Sequence, residues 1–593
     1  MTRQGASFAH PMPLGATLLA DGRTRFRLWA PDCPSVSLEI DGTPPIAMQQ
    51  EGDGWFVGTA TCGAQARYRF RVRPDLAVPD PASRAQAGDV HDGSLVIDPR
   101  GYAWRHPEWR GRPWTETVLY ELHAGLLGGF GGVKAQLPRL ADLGVTAVEL
   151  MPVADFPGER NWGYDGVLPF APDRTYGSPD QLKALVDDAH GLGLMMFLDV
   201  VYNHFGPDGN YLGSYAAPFF NPHVATPWGP SIDFARPQVR RFFIENALYW
   251  LMEYRFDGLR LDAVHAIADP GWLDELAREV RRTVEPGRHV HLVLEHDGNV
   301  ASHLRQEFDA QWNDDGHHAL HVLLTGESEG YYADYAQAPA QHLARCLAEG
   351  FAWQGEPSPY RDGEPRGQPS ADLPPTSFVL FLQNHDQIGN RAFGERLTQL
   401  SNPAALRAAT ALLLLSPQIP LLFMGEEWAC TTPFLYFTSH GAALADAVRD
   451  GRRREFAKFA AFASPESRQR IADPNDPSTF EASRPVRSEN QTEDAWYDFC
   501  RNLLHLRRQE IVPRLHGAKS LGAQAIGERA VRASWTLGDG ATLHLMVNLA
   551  DQPVACPAIE GRLLFATDAH VPQGVAQQVL PGYSLIAVLQ TAR

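Results

Sequence analysis

The chain changes its hydrophobic rhythm twice. Up to about residue 95 it runs in short stretches of period two. Arg25-Phe26-Arg27-Leu28-Trp29 and Arg67-Tyr68-Arg69-Phe70-Arg71-Val72 alternate polar and apolar, which turns one face of each strand to a core and the other to solvent. Asp41-Gly42 and Asp53-Gly54 punctuate these runs, and the pattern predicts a small β-sandwich over 1–95. The stretch from Val78 to Trp114 is rich in Pro, Gly and Trp and reads as a linker packed across a domain boundary.

From Thr117 onward, short apolar runs alternate with helical stretches. The strand-like runs are Val118–His123, Ala147–Val153, Leu194–Val201, the segment around Leu259 and Leu261, His291–Glu295, Phe308–Trp312, Ser377–Gln383 and Ile419–Met424. Between them lie helical patterns such as Leu137–Leu143 stopped by Gly144, Asp180–His190, Pro237–Tyr254 and Trp272–Val284. Eight strand–helix units predict an α/β fold with a (β/α)₈ barrel over 96–512. Two connections, Asn203–Ala235 and Gly326–Pro375, are too long for simple loops, and long excursions at a barrel's C-terminal rim usually build its substrate site. Ala530–Thr536, Thr542–Asn548 and Tyr583–Leu589 return to strand character, predicting a second β-sandwich over 513–593.

Composition narrows the class without naming it. A chain of 593 residues with 44% hydrophobic and 21% charged residues is an ordinary multidomain globular protein. Its 70 acidic against 52 basic side chains give a net charge of −18, which disfavours nucleic acid and anionic membranes as partners. Six scattered cysteines with no CxxC pair fit free thiols in a reducing compartment. The N-terminus has no apolar core of signal-peptide length, so the expected location is cytoplasmic.

The chemistry gathers at predicted strand ends. Asp199, Asn203 and His204 follow the third strand, and Arg260, Asp262 and His265 the fourth. Glu295, His296 and Asp297 follow the fifth, and Asn384, His385 and Asp386 the seventh. On one strand Arg260 and Asp262 share a face, and a guanidinium beside a carboxylate favours its ionised form; a purely structural Arg–Asp pair is the alternative. Metal-ligand spacings of the HExxH or DxDxDG type are absent from the sequence, and no phosphate-binding GxxxxGK[ST] loop occurs. Several carboxylates on one rim suit glycoside hydrolysis, which needs one to attack and one to protonate. Gly326-Glu327-Ser328-Glu329-Gly330 matches the GxSxG nucleophile pattern but opens a long loop, where that motif has no strand–turn–helix to serve it. Trp162, Tyr164, Tyr211, Phe219, Phe220 and Trp228 offer rings for stacking on sugars. The Arg452-Arg453-Arg454 cluster reads as a solvated helix face.

The strings DVVYNH at 199, GLRLDAVH at 258, LVLEH at 292 and FLQNHD at 381 resemble, in order, the four signature regions of the α-amylase superfamily. The resemblance implies Asp262 as nucleophile, Glu295 as proton donor and Asp386 as transition-state stabiliser. Tyr164, His204, Arg260 and His385 then surround the sugar being cleaved, and Asp199 orients the neighbouring His and Arg groups. VELMPVADFPGERNWGYDGV at 148, YNHFGPDGNY at 202, QWNDDGHHALHV at 311, FLQNHDQIGNRAFGERL at 381 and LLLLSPQIPLLFMGEEW at 412 resemble, more narrowly, the maltooligosyltrehalose trehalohydrolase family. That likeness implies an immunoglobulin-like sandwich of early-set type before the barrel. It implies a retaining hydrolase that cuts the α-1,4 bond beside a terminal α,α-trehalose unit. It also implies a functional link to a maltooligosyltrehalose synthase and no essential metal or cofactor. Asp315, His318, Gln387, Asn390, Arg391 and His265 become candidate contacts to the substrate. The chain departs from the family in AGLLGGFGG after ELH at 121 and in HDGN after Glu295. A branching or debranching enzyme of the same superfamily, and a non-catalytic glucan-binding protein, are the alternatives.

Overall fold

The computed structural model describes residues 6–226, 229–458, 460–462, 464–488 and 490–592. The N-terminal alternation does what its period requires. In Thr24–Trp29 and Arg67–Arg73 every second side chain is buried, and the arginines between them stay partly exposed. These strands belong to two different antiparallel sheets. Phe26 and Tyr68 meet edge to face with centroids 4.8 Å apart, so the two sheets enclose one sandwich core.

The eight apolar runs close into a parallel barrel: Leu119–Leu122, Ala147–Leu150, Met195–Val200, Gly258–Leu261, His291–Leu294, Ala310–Trp312, Phe378–Phe381 and Ile419–Phe423. The first strand pairs with the eighth, Leu119 beside Leu421. Leu119, Phe197, Val293, Phe381 and Leu421 fill the interior, and Trp114 packs against them, donating Nε1–H to Thr376 O. The barrel is therefore a packed core whose chemistry has to sit at one end. Gly258 has a specific reason: a Cβ there would lie 2.2 Å from the Phe197 ring on the adjoining strand.

The linker straps the opposite end of the barrel. Trp109 stacks on His190 at 5.1 Å and donates Nε1–H to Asp257 Oδ1 at 2.8 Å. The first long excursion packs between the N-terminal sandwich and the barrel helix Pro237–Leu248, where Phe219 meets Phe242 at 5.4 Å. Asp32 N–H bonds Tyr215 O, Ala217 N–H bonds Asp32 Oδ2 at 2.6 Å, and Trp29 meets Phe219 at 6.4 Å. Phe219 is buried, Phe220 packs beside it, and Tyr211 bonds His91 Nδ1. Phe219 is thus committed to packing and not to the sugar surface expected of it, Tyr211 and Phe220 are partly buried, and Trp228 lies outside the described residues. In the second excursion, helix Pro339–Glu349 bears on the C-terminal domain, where Trp535 donates Nε1–H to Leu347 O.

That C-terminal domain is a five-stranded antiparallel sheet. The excursion helix Pro339–Glu349 and the barrel helix Pro403–Leu415 contact it. A second apolar cluster, including Met546, Val571, Leu580 and Ile586, joins the sheet to the two-stranded ribbon Val554–Ala555 with Val579–Leu580 and the short helix Val571–Ala576. Its second layer is thus smaller than a full sheet, because the barrel already covers much apolar surface. Arg452 corrects another expectation. Its side chain is nearly buried, donates to Gly389 O and Arg391 O, and stacks over Phe456 at 4.8 Å.

Candidate active site

Arg260 is the centre of the polar end of the barrel. It belongs to the fourth strand and is fully buried. Its Nη1 lies 2.7 Å from Asp199 Oδ2 and 2.9 Å from Asp262 Oδ1. Its Nη2 lies 2.7 Å from Glu295 Oε2, an ion pair without an aligned hydrogen bond. The guanidinium also sits 4.3 Å over the Trp312 ring, a desolvated cation–π contact. Three carboxylates from the ends of three strands are thus held by one cation. Only a planar fork with several donors holds such a set.

Local backbone geometry aims the pair that matters most. Asp262 and Glu295 each follow the last residue of a strand. Ala263 then adopts a left-handed conformation with φ of 40°, and its N–H donates to Glu295 Oε2 at 2.7 Å. Asn384 caps the short helix His385–Gly389 by accepting from Gln387 N–H, which sets His385 and Asp386 at the rim.

Tyr164 closes one side. Its hydroxyl donates to Asp199 Oδ2 at 2.6 Å and sits 2.8 Å from His385 Nε2, and its ring stacks on His385 at 5.1 Å. Gly163, at φ of 107°, allows this approach, since a Cβ there would lie 2.2 Å from Pro152 O. His204 Nε2 lies 2.9 Å from Tyr164 O and so braces the tyrosine's loop. Trp162 is buried, bonded to Leu435 O and stacked on Phe434; it supports the site from behind.

The charges are strongly coupled. Burial, then the Glu295 charge, pushes the Asp262 carboxyl well above its ordinary range against the pull of Arg260. Burial also acts to raise Glu295, but Arg260, the Ala263 N–H and His265 outweigh it and hold it low. The two titrate as a unit. Burial raises Asp199 and Asp386 as well, opposed by Arg260 and His385 respectively. Burial lowers His204 to about 4.

The remaining candidates divide. His265 is exposed, with Nδ1 3.4 Å from Asp297 N. Asn390 is exposed and donates to Asp386 Oδ1 at 3.2 Å. Gln387 accepts from the Tyr331 hydroxyl at 3.2 Å, and His318 lies between Tyr331 and Tyr335. Arg391 is held by Glu327 at 2.7 and 2.9 Å and by Glu395 at 3.2 Å, so Glu327 in the GxSxG match is a brace. Asp315 is fully buried. Its carboxylate accepts from Tyr335, Asn299, Ala352 N and Trp353 N and pairs with Arg366 at 3.0 Å. It holds the scaffold under the rim. Through Asn299 it anchors the atypical HDGN turn after Glu295, which Arg366 also clamps at Asp297 O. The other atypical stretch, after His123, forms a tight turn that returns Leu126 N–H to His123 Nδ1.

Two buried carboxylates were not singled out in the sequence. Glu121 and Glu149 face each other in register on the first and second strands, and both are buried. A carboxylate inside an otherwise apolar barrel strand was the available signal. Tyr331, deep in an irregular excursion, carried none.

The catalytic-domain model of the alpha amylases matches residues 105–218, and a domain of unknown function, DUF3459, matches 518–586. A malto-oligosyltrehalose trehalohydrolase of Deinococcus radiodurans is 41% identical over 85% of this chain and 84% of its own length. The chain belongs to the malto-oligosyltrehalose trehalohydrolase family. A member from Rhizobium sp. strain M-11 is 36% identical over 96% of this chain and 98% of its own, so the family likeness extends through both flanking domains. A Salmonella typhimurium crystal structure described as an alpha amylase superposes with a TM-score of 0.92 at 44% identity, covering 98% of this chain and all of its own. Among the described residues no group of three or more His, Cys, Asp or Glu is arranged to hold a metal ion. No helix among them is long and apolar enough to cross a membrane.

Proposed function

We propose that this chain hydrolyses the α-1,4-glucosidic bond next to the terminal α,α-trehalose unit of a maltooligosyltrehalose, releasing trehalose and a shortened maltooligosaccharide. The observation that carries the reading is the shared guanidinium: one cation touches both Asp262 and Glu295, in a chain whose full-length relatives are trehalohydrolases. Two carboxylates held by one fork favour the narrow spacing of about 5 Å used by retaining glycosidases over the roughly 6.5–9.5 Å gap that admits a water.

In this mechanism ionised Asp262 attacks the anomeric carbon, and protonated Glu295 gives its proton to the departing trehalose oxygen. The covalent glycosyl-enzyme is then opened by water, with Glu295 as base, and configuration is retained. The reaction needs the pair's proton on Glu295, whereas burial and the neighbouring charges raise Asp262 and Arg260 lowers Glu295. A sugar ring that displaces water around Glu295 and brings an acceptor oxygen to it supplies the difference. Tyr164 presents the ring on which that sugar stacks, and His385 and Asp386 bind its hydroxyls. Arg260 keeps the anions together, and Asp199 fixes Arg260 and Tyr164. His204 supports Tyr164 from below.

Discrimination between capped and plain chains falls to the leaving-group side, where a 1,1-linked disaccharide departs from the amylose path. Gln387, Asn390 and His318, with Tyr331, are the candidate contacts there; Arg391 and Asp315 act through the loops they hold. His265, exposed beside Glu295, completes that edge. The reaction consumes a trehalose-capped glucan, so its supplier is an enzyme that isomerises a glucan's terminal linkage, as a maltooligosyltrehalose synthase does. The acidic chain and its free thiols support a cytoplasmic setting. The test is kcat/KM on maltopentaosyl-trehalose against maltoheptaose, with product analysis. A preference of about 10²-fold or more for the capped chain, with trehalose as product, is expected; a site that hydrogen-bonds hydroxyls can reject a mismatched ligand by up to roughly 10⁴-fold. Equal values would return the chain to general α-glucan hydrolysis.

A further inference from the structure

Both oxygens of Glu121 are spent on one residue. Oε2 accepts the backbone N–H of His385 at 3.1 Å, and Oε1 lies against His385 Nδ1. Both side chains are about 1% exposed. A carboxylate with two bonds to one histidine fixes the ring's tilt as well as the proton on Nδ1. The other nitrogen, Nε2, then points at the Tyr164 hydroxyl, 2.8 Å away, with Asp386 Oδ1 at 3.6 Å.

The proton on Nε2 follows from the hydrogen-bond pattern. The Tyr164 hydroxyl has one hydrogen, and it already has a carboxylate acceptor in Asp199 Oδ2 at 2.6 Å. Its oxygen is therefore free to accept from His385. A ring that gives one N–H to Glu121 and the other to Tyr164 is doubly protonated. The groups around it support that state. Glu121 and Asp386 favour the cation, Arg260 opposes it, and burial opposes it most. Glu149 is the neighbour that decides which carboxylate carries the counter-charge. Neither of its oxygens has a hydrogen-bond partner among the described residues, and burial with the charges of Glu121 and Asp199 holds it as a neutral acid. Asp199 and Glu295 are both paired with Arg260, and Asp199 also accepts from the Tyr164 hydroxyl. His123, the other nearby ring, is kept neutral by burial.

We propose that Glu121 is a positioning residue for the reaction: it holds His385 as an imidazolium whose Nε2–H is given to the Tyr164 hydroxyl, so that the cationic ring and Tyr164 are fixed together at the edge where the sugar undergoing cleavage is bound. Glu121 touches no substrate and acts through His385. The inference rests on the reading of this rim as a glycosidase site, and it extends that reading to a residue outside the four signature strings.

The experiment is a titration of His385 in the whole protein, with ring-labelled histidine followed by NMR and the signal assigned by its loss in His385→Gln. In the unmodified chain His385 is expected to stay protonated through pH 8 and to titrate at about 9. In Glu121→Gln its midpoint is expected to fall by about one unit or more, the usual effect of removing an adjacent opposite charge. In the same variant, kcat/KM is expected to gain a fall on the alkaline side that tracks the new His385 midpoint, reaching about twofold at pH 8 and about tenfold at pH 9 relative to pH 5.5 for a midpoint lowered by one unit. A structural brace would instead lower activity evenly across pH and leave the titration in place. An unchanged His385 titration in Glu121→Gln overturns the proposal. If that variant does not fold, a His385 midpoint near 6.5 in the unmodified chain overturns it alone, and a midpoint near 9 supports it. The titration is read without turnover, so absence of trehalose release would count against the proposed function and leave this result standing.

Discussion

Arg260 on the fourth strand and Asp262 just past its end lie two residues apart, with Nη1 2.9 Å from Oδ1. That single contact ties the nucleophile to the same cation that holds Asp199 and Glu295. Asp262→Asn keeps the shape and can still meet the guanidinium through its amide oxygen, so the fold should survive. Turnover should fall by about three powers of ten or more, the scale for removing a group that acts in bond breaking. Circular dichroism and kcat on the capped substrate check both halves. A folded variant with near-normal kcat excludes Asp262 as nucleophile.

Glu295→Gln removes the proton donor while leaving an oxygen to accept from Ala263 N–H. Substrates with poor leaving groups should then suffer most, and an activated aryl α-glucoside should suffer least in glycosylation, because it departs with little protonation. Single-turnover rates on the two substrate types make the comparison. Equal slowing would remove Glu295 from the role of acid.

Glu149 carries a pH signature. Burial, with the Glu121 and Asp199 charges, places its folded pKa well above 4.5, so the unfolded chain loses this proton first. Stability from this group is present below about pH 4.5 and is lost as pH rises toward the folded value. Glu149→Gln keeps the neutral shape without that loss. Its melting temperature relative to the unmodified protein should therefore climb between pH 5 and pH 8. A difference that stays flat or shrinks over that window would mean that Glu149 is ionised in the folded state.

Asp315 looked like a substrate contact in the sequence and is a buried anchor in the structure. Asp315→Asn takes from the nearly buried Arg366 its buried carboxylate partner and leaves only the exposed Asp297 at 3.6 Å, a change of up to about 3–5 kcal/mol when a buried pair is broken from one side. Denaturant unfolding should register that loss, while the ratio of trehalose to other products stays as before. A shift in product ratio at unchanged stability would return Asp315 to the substrate surface.

Much of this was determined by the sequence alone. Period-two alternation around Phe26 and Phe70, and eight apolar runs spaced by helical stretches, specify a sandwich and a barrel because strand and helix bury side chains with different periods. The chemistry was legible where it follows strand ends, since a parallel strand delivers its next residue to the rim whatever the loop does afterwards. Asp262 and Glu295 are such residues, Asp386 follows five residues after its strand in a capped helix, and Arg260 was readable because residues two apart along a strand share a face. Tertiary structure alone decided how the charges share one guanidinium, and that Glu121 reaches His385 across 264 residues. It also turned Asp315 inward to Arg366 and Asn299 and gave Phe219 to a domain contact. These outcomes depend on contacts between distant segments, where burial makes every unpaired charge costly and each carboxylate takes the partner that packing brings within reach.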